Sequence, residues 1–149
     1  MLGIEDILLS GYEGELEGGR YVPDIVPHRG PFIGIHAGLA AAEHDACPVL
    51  SVDTPLVPFF TLLKLMETHS SAITVLEHDG QSEPLIGVYD RSLAPLCGEM
   101  LAGERSSVKR LFDIAGVTAL PCETEPLLLS NCNTPEEYAV LLSRAERDF

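Results

Sequence analysis

The feature that most constrains the fold of this chain is a regular alternation between short strand-like runs and stretches of helical character. The strand-like runs are rich in Val, Ile and Leu, and turn residues bound them. They cover residues 6–10, 20–26, 48–52, 71–77, 85–89, 117–121 and 127–130. The helical stretches cover residues 35–43, 58–68, 92–101 and 106–115, and a last one follows residue 134. This alternation predicts an α/β fold around a mostly parallel sheet.

Two of the predicted helices carry clear boundary signals. Ser106 is a good N-cap for the fourth helix, and Gly116 stands where that helix should end. The last helix has Thr134 as its N-cap and Pro135 at its first position, and Glu137 completes a capping box.

The charge balance excludes one class of partner. The chain has 9 Lys and Arg against 23 Asp and Glu, a net charge of −14, and its only lysines are Lys64 and Lys109. A surface that follows phosphates needs clustered basic residues, so we expect no nucleic-acid partner and no attraction to an anionic membrane. Because no linker, repeat or change of charge divides the chain, residues 1–149 are expected to form a single domain.

Membrane and cysteine patterns indicate a cytoplasmic protein. The longest apolar segment, residues 57–66, is interrupted by Lys64 and is shorter than the ~20 residues that a spanning helix needs. The first residues lack the basic and apolar regions of a signal peptide. The four cysteines form no C-x-x-C pair, which argues against a zinc ribbon, and we expect them to be reduced thiols.

The segment Ser51-Val52-Asp53-Thr54-Pro55 follows a predicted buried strand directly. In open α/β sheets, ligands bind beyond the carboxyl ends of the strands. A carboxylate there is suited to Mg²⁺, which uses one or two protein carboxylates together with water and substrate phosphates. The alternative is that Asp53 only caps the turn before Pro55.

The segment Gly30-Pro31-Phe32-Ile33-Gly34-Ile35 leads into the first predicted helix. A glycine immediately before a helix lets backbone N–H groups approach an anion or a base, which is the function expected of Gly34. The segment matches neither the phosphate loop nor the dinucleotide fingerprint. A tight turn packed against the helix is the alternative.

These pieces, in order, resemble the molybdenum cofactor guanylyltransferases of the nucleotidyltransferase fold. The resemblance is carried by Asp24 and by residues 30–35, 51–55, 84–89 and 131–136, the last reading Asn-Cys-Asn-Thr-Pro-Glu. It covers essentially the whole chain and implies a three-layer, Rossmann-like arrangement.

The resemblance also implies functional positions. Asp53 corresponds to the magnesium ligand of the catalytic site, and Asp24 to an aspartate that contacts GTP. Ser10 stands where some members have a nucleotide-contacting asparagine. The remaining implied binding positions are Gly30 and Gly34 on the nucleotide side and Asn131 and Asn133 on the pterin side.

The implied reaction transfers GMP from GTP to the terminal phosphate of molybdopterin and releases pyrophosphate, with Mg²⁺ as cofactor. Molybdenum-cofactor delivery proteins are the implied protein partners. Both substrates are anions, so a chain of charge −14 needs a local positive element. Besides a metal at Asp53, the candidates are Arg29 and Arg105, although either is equally well an ordinary surface arginine.

The family begins with a strand and a Leu-Ala-Gly-Gly loop, followed by Arg-Met-Gly and a Lys. Nothing between Met1 and Ser10 matches it, and no lysine precedes Lys64. The resemblance therefore implies an N-terminally truncated fold, poorly active alone, whose sheet has unpaired strand edges. Two alternatives stay open: a non-catalytic remnant or subunit that binds a partner chain, and a cytidylyltransferase relative.

Overall fold

The computed structural model describes residues 4–11, 14, 17–24, 30–122 and 126–148 of the chain. The strands are β1 (Ile7–Ser10), β2 (Gly19–Val22), β3 (Ala46–Leu50), β4 (Ile73–His78), β5 (Gln81–Asp90) and β6 (Thr118–Pro121). The helices are α1 (Pro31–Ala41), α2 (Phe59–Thr68), α3 (Ala94–Ala102), α4 (Val108–Ala115) and α5 (Pro135–Asp148). Short 3₁₀ turns cover Arg91–Leu93 and Pro126–Leu129. No helix in these ranges has the length and apolar character needed to cross a membrane.

The strands form two sheets. β1 and β2 pair in parallel, and the second sheet has the order β3-β5-β4-β6. In that sheet β5 is antiparallel to both neighbours, whereas β4 and β6 are parallel. The α/β class is confirmed, but the second sheet is mixed rather than mostly parallel. The cause is a tight β4–β5 hairpin whose turn residues Asp79 and Gly80 have φ of 50° and 74°, as a type I′ turn requires.

Helices cover both faces of the four-stranded sheet and produce three layers. On one face, Ile73, Val75 and Tyr89 pack against α1, α3 and α4. On the other, Leu76 and Val88 pack against α2. The alternation of buried side chains along β4 follows the period of two of a strand whose faces are both covered.

Several elements differ from the sequence predictions in their bounds or type; β3, for example, is Ala46–Leu50 rather than residues 48–52. The first helix begins at Pro31 rather than at residue 35, because proline is favoured at a first helical position and Gly30 takes the N-cap with φ of 74°. The strand predicted for 20–26 ends at Val22, and residues 25 and 26 lie outside the described ranges. Residues 127–130 belong to a 3₁₀ turn instead of a strand. Ser107, not Ser106, caps α4 by accepting a hydrogen bond from the Arg110 N–H at 3.2 Å.

The capping box of α5 is confirmed. The hydroxyl of Thr134 accepts from the Glu137 N–H at 3.1 Å, and the Glu137 carboxylate accepts from the Thr134 N–H at 3.1 Å. The same carboxylate accepts from the Asn133 N–H at 2.7 Å. This local network fixes the loop that leads into α5.

Helix α1 connects the two sheets. It packs against β1 and β2 on one side and against β3 and β5 on the other. At its carboxyl end, Arg20 of β2 donates to both oxygens of Asp6 at 2.8 Å and to the carbonyl of Ala41 at 2.6 Å. These hydrogen bonds lower the pKa of Asp6 below its ordinary value. In the described residues, the strands with one unpaired edge are β1, β2, β3 and β6.

Candidate active site

A cleft of about 430 Å³ opens where β3 ends. Its lining comes from Pro31 and Phe32 of α1, Ser51, Asp53 and Thr54 after β3, residues 83–86 of β5, residues 106–108 at the start of α4, and Asn131. Five segments far apart in the sequence therefore meet at the carboxyl end of a strand, the position where open α/β sheets bind ligands.

Asp53 is half-buried in this cleft, and the turn around it is held by hydrogen bonds. The Ser51 hydroxyl donates to one carboxylate oxygen of Asp53. The buried Thr54 hydroxyl donates to the Ser51 carbonyl at 3.0 Å. The carboxylate thus has a fixed direction, and its other oxygen has no partner within the described part of the chain.

The loop before α5 lies against the Asp53 turn. The Cys132 N–H donates to the Asp53 carbonyl at 2.6 Å, and Asn131 lines the cleft. Asn133 is exposed and does not line it; its main-chain N–H joins the α5 cap instead. The structure therefore brings Asn131, but not the side chain of Asn133, to Asp53.

Ser10, Asp24 and Gly34 form a second polar cluster. The Ser10 hydroxyl donates to Asp24 at 2.5 Å. A Cβ placed at Gly34 would lie 3.0 Å from the Ser10 oxygen, so the glycine allows α1 to approach the end of β1 closely. Gly11 also borders the cluster, since a Cβ there would lie 3.7 Å from Asp24.

The position predicted for Gly34, immediately before the first helix, is wrong, whereas its binding function stays a prediction. Gly34 is the fourth residue of α1, so its N–H is directed to the Gly30 carbonyl inside the helix. The N–H groups left without helical partners at this end are those of Phe32 and Ile33, and no side chain caps them.

The start of α1 connects the Ser10–Asp24 cluster with the cleft. Pro31 lines the cleft, and Gly34, three residues later, contacts Ser10. Residues three apart are neighbours on a helix surface. The two groups of candidate residues consequently flank the first turn of one helix.

Two helix N-termini, those of α1 and α4, face the cleft that contains Asp53. Each carries free N–H groups and a partial positive charge of about +0.5. They provide the positive element that an acidic chain needs in order to bind anions. Of the predicted cations, Arg29 lies outside the described residues, and Arg105 is exposed and does not line the cleft.

The sequence prediction missed Glu83, and it gave Ser51 only as part of the Asp53 segment. It named Arg105, before the start of α4, as a candidate cation, but it did not place the start of α4 beside Asp53. The Asp53 side of the cleft can be found from the sequence, because a buried strand followed by Asp-x-Pro indicates a ligand site at the carboxyl end of that strand. Nothing local in residues 106–108 shows that their helix points at Asp53, because that contact depends on how α4 packs.

The comparisons with known proteins agree on the family. Residues 2–135 match the family model described as the MobA-like NTP transferase domain. The chain is 36% identical over 141 residues to the molybdenum cofactor guanylyltransferase of Pseudomonas entomophila, and this match covers 89% of the chain and 73% of the relative. It is 33% identical over 142 residues to that of Ectopseudomonas mendocina, covering 91% and 70% respectively.

Other curated relatives are matched over a smaller share of their length. The chain spans 63% of the probable molybdenum cofactor guanylyltransferase of Flavobacterium johnsoniae, to which it is 29% identical, with 78% of the chain covered.

Solved structures show the same fold. The molybdopterin-guanine dinucleotide biosynthesis protein A of Archaeoglobus fulgidus has a TM-score of 0.70 at 23% identity, with 86% of this chain and 69% of that one covered. The 4-diphosphocytidyl-2C-methyl-D-erythritol synthase of Anaerococcus prevotii has a TM-score of 0.68 at 14% identity, with 96% and 79% covered.

Proposed function

This chain belongs to the MobA-like NTP transferase family, and we propose that it transfers GMP from GTP to the terminal phosphate of molybdopterin. The observation that carries the proposal is the cleft in which Asp53 meets the N-termini of α1 and α4. Curated relatives named molybdenum cofactor guanylyltransferase support the choice of both substrates.

The reaction requires positioning and charge neutralisation rather than a protein nucleophile. A phosphate oxygen of the acceptor forms a bond to the α-phosphorus of GTP. The bond from that phosphorus to the α,β-bridging oxygen breaks, and pyrophosphate leaves with the electron pair. The free N–H groups of α1 and α4 bind phosphate oxygens on either side of the reacting phosphorus.

Asp53 fits a magnesium ion. Its carboxylate is half-buried and is oriented by Ser51, and its other oxygen has no hydrogen-bond partner among the described residues. No group of three or more His, Cys, Asp or Glu side chains clusters within the described ranges. Asp53 would therefore hold Mg²⁺ together with water and triphosphate oxygens, as this ion prefers. Bound there, Mg²⁺ would neutralise charge on the triphosphate.

The nucleoside of GTP is proposed to lie on the side of Ser10 and Asp24. One oxygen of Asp24 accepts from Ser10, which holds the carboxylate in place. Among the described residues the other oxygen has no hydrogen-bond donor, and it is proposed to accept from the base or ribose. Gly30 and Gly34 keep this side of α1 free of side chains.

The acceptor is proposed to enter on the opposite side of Asp53, past Asn131 and Asn133. Delivery proteins for the cofactor would approach the same face. The four cysteines form no disulfide bond with one another, which supports a cytoplasmic setting for this reaction.

Calorimetric titration of the chain with Mg²⁺·GTP tests the proposal. We expect binding that Asp53→Asn weakens at least tenfold, or about 1.4 kcal/mol, because the amide carries no charge for the metal. Asp113→Asn is the matched control, since Asp113 is an exposed residue of α4. Unchanged binding in Asp53→Asn would contradict the assignment.

The same titration separates the alternatives. Tighter binding of CTP than of GTP would indicate a cytidylyltransferase. Absence of binding to any Mg²⁺·nucleotide would indicate a non-catalytic chain whose unpaired strand edges serve a protein partner.

A further inference from the structure

The pairing of β5 with β4 is interrupted in the segment of β5 that lines the cleft. Gly87 pairs with Val75 of β4, whereas Glu83 pairs with Leu76, the next residue of β4. Residues 84–86 therefore have no partner on β4, and they form a bulge in β5. All three of these residues line the cleft. Bulges are common beside active sites, where they redirect a strand and its side chains.

The β5 bulge is connected to the Asp53 turn by hydrogen bonds. The Ser51 N–H donates to the Leu85 carbonyl at 3.0 Å. The Ser51 hydroxyl donates in turn to the Asp53 carboxylate. Because Ser51 joins the bulge to this carboxylate, a displacement of the bulge is expected to change the direction of the carboxylate as well.

A buried tyrosine holds the bulge from the core side. The Tyr89 hydroxyl donates to the Pro84 carbonyl at 2.6 Å. Tyr89 is completely buried, and it belongs to the same core cluster as Phe32 and Ile73. Burial raises the pKa of Tyr89 above its ordinary value of 10.0, so the hydroxyl keeps its proton and remains a donor at neutral pH. The bulge is thus anchored to a packed part of the molecule.

We propose that Tyr89 is a positioning residue for the reaction, because its hydrogen bond to Pro84 fixes the β5 bulge and thereby the direction of the Asp53 carboxylate. This inference rests on the proposed function, in which Asp53 holds Mg²⁺. Tyr89 does not line the cleft, so it acts through the bulge and Ser51. A carboxylate that is oriented before the substrate arrives loses less freedom when the metal and the triphosphate bind.

Tyr89→Phe tests the proposal because it keeps the ring and removes only the hydroxyl. Calorimetry should show Mg²⁺·GTP binding weakened about fivefold, the effect of losing one hydrogen bond. Binding of GTP in the presence of EDTA should not change, because Asp53 acts on the nucleotide through the metal.

Two control variants separate positioning from a loss of stability. Tyr138→Phe makes the same chemical change at an exposed tyrosine of α5 and should leave binding unchanged. Ile73→Val removes one carbon from the core that contains Tyr89. It should lower the melting temperature without weakening Mg²⁺·GTP binding. An equal loss of binding in Ile73→Val would show that core packing, and not the Tyr89 hydroxyl, is responsible.

A double variant tests whether Tyr89 acts through Asp53. In the Asp53→Asn background, Tyr89→Phe should cause no further loss of Mg²⁺·GTP binding, because the charge that it positions is already absent. Additive losses in the double variant would overturn the inference, since Tyr89 would then affect binding by another route.

Hydrogen exchange of the Ser51 amide, followed by NMR, gives a measurement without nucleotide. In Tyr89→Phe this exchange should accelerate about tenfold, because the bulge that carries its acceptor opens more often. The Asp90 N–H donates to the Ala72 carbonyl beyond the other end of the bulge, and its exchange should not change. Unchanged Ser51 exchange or unchanged Mg²⁺·GTP binding in Tyr89→Phe would overturn the inference. Failure of the proposed function appears differently, as absence of Mg²⁺·GTP binding in the unmodified chain while Ser51 exchange still responds to Tyr89→Phe.

Discussion

Gly87, in the centre of β5, has no room for a side chain, and Gly87→Ala provides the sharpest test of the sheet register. A Cβ at this position would lie 2.7 Å from the Thr74 carbonyl oxygen and 2.8 Å from Cγ1 of Val75. Both distances are below van der Waals contact. The first atom belongs to the backbone of the neighbouring strand β4, so no rotamer change can relieve it.

The cost can be estimated from these contacts. Inserting a methyl group into a closely packed core costs about 1–3 kcal/mol. Alanine recovers up to ~1 kcal/mol from the lower backbone entropy of its unfolded state. Because one clash is with backbone, we take the upper part of the range and expect a net loss of about 2 kcal/mol. For a chain of this size the melting temperature should fall by ~4–8 °C.

Gly38→Ala is the matched control because it makes the same chemical change in open space. Gly38 lies in α1, and outside the neighbouring backbone of its own helix no atom of the described residues lies within 4 Å of its ideal Cβ position. Alanine in a helix interior should stabilise by about 0.5–1 kcal/mol. Urea unfolding should therefore separate the two variants by about 1–1.5 M in midpoint, with a slope of ~2 kcal/mol/M.

A second variant separates the two clashes. Val75→Ala removes Cγ1 but leaves the Thr74 carbonyl where it is. In that background Gly87→Ala should still cost at least half of its original value, with a coupling energy of about 0.5–1 kcal/mol. If Gly87→Ala unfolds at the same urea concentration as the unmodified chain, the pairing of Val75 with Gly87 is refuted.

Two further predictions concern α1. His36 is buried, its Nδ1 has no partner among the described residues, and burial lowers its pKa below the ordinary 6.5. Because the unfolded chain takes up the proton first as the pH falls, the free energy of unfolding should decrease below about pH 6.5. His36→Phe should reduce this decrease, as measured by urea unfolding at pH 7.5 and at pH 5.5. A Cβ at Gly34 would lie 3.0 Å from the Ser10 hydroxyl, so Gly34→Ala should displace Ser10 from Asp24. Calorimetry should then show Mg²⁺·GTP binding weakened several-fold, whereas Gly38→Ala on the same helix should leave binding unchanged.

Local signals in the sequence were sufficient where the interactions are themselves local. The α5 capping box joins residues three apart, so Thr134 and Glu137 define it without knowledge of the rest of the fold. The Asp53 turn is also local, because its hydrogen bonds join Ser51 to Asp53, two residues apart, and Thr54 to Ser51, three residues apart.

The errors arose where tertiary contacts select between two local options. Asp79-Gly80 is a recognisable hairpin turn, but the overall alternation of strands and helices favours a mostly parallel sheet, whereas the hairpin makes β5 antiparallel to both neighbours. Residues 127–130 are an apolar run that suits a strand or a 3₁₀ turn equally. The Ser10–Asp24 pair joins residues 14 apart, and no periodicity in the sequence indicates it.

Stability and binding are coupled through α1. Its buried face packs in the main core through Phe32, Ile35 and Leu39. Its first turn faces the cleft, and Gly34 contacts the Ser10–Asp24 cluster. A helix behaves as a rigid unit, so a substitution that shifts its packed face is expected to move both groups of candidate binding residues together.

This coupling also explains how an acidic chain can bind anionic substrates with few basic side chains. The positive ends of α1 and α4 belong to the backbone, so the packing of the two helices sets the direction of their potential. A charge on a mobile side chain has no such fixed direction. Core substitutions in α1, such as Leu39→Ala, should therefore weaken GTP binding even at temperatures where the chain remains folded. Removal of the exposed charge of Arg105 should change binding much less, because Arg105 does not line the cleft. The reverse order of these two effects would show that side-chain charge, and not helix placement, supplies the positive potential.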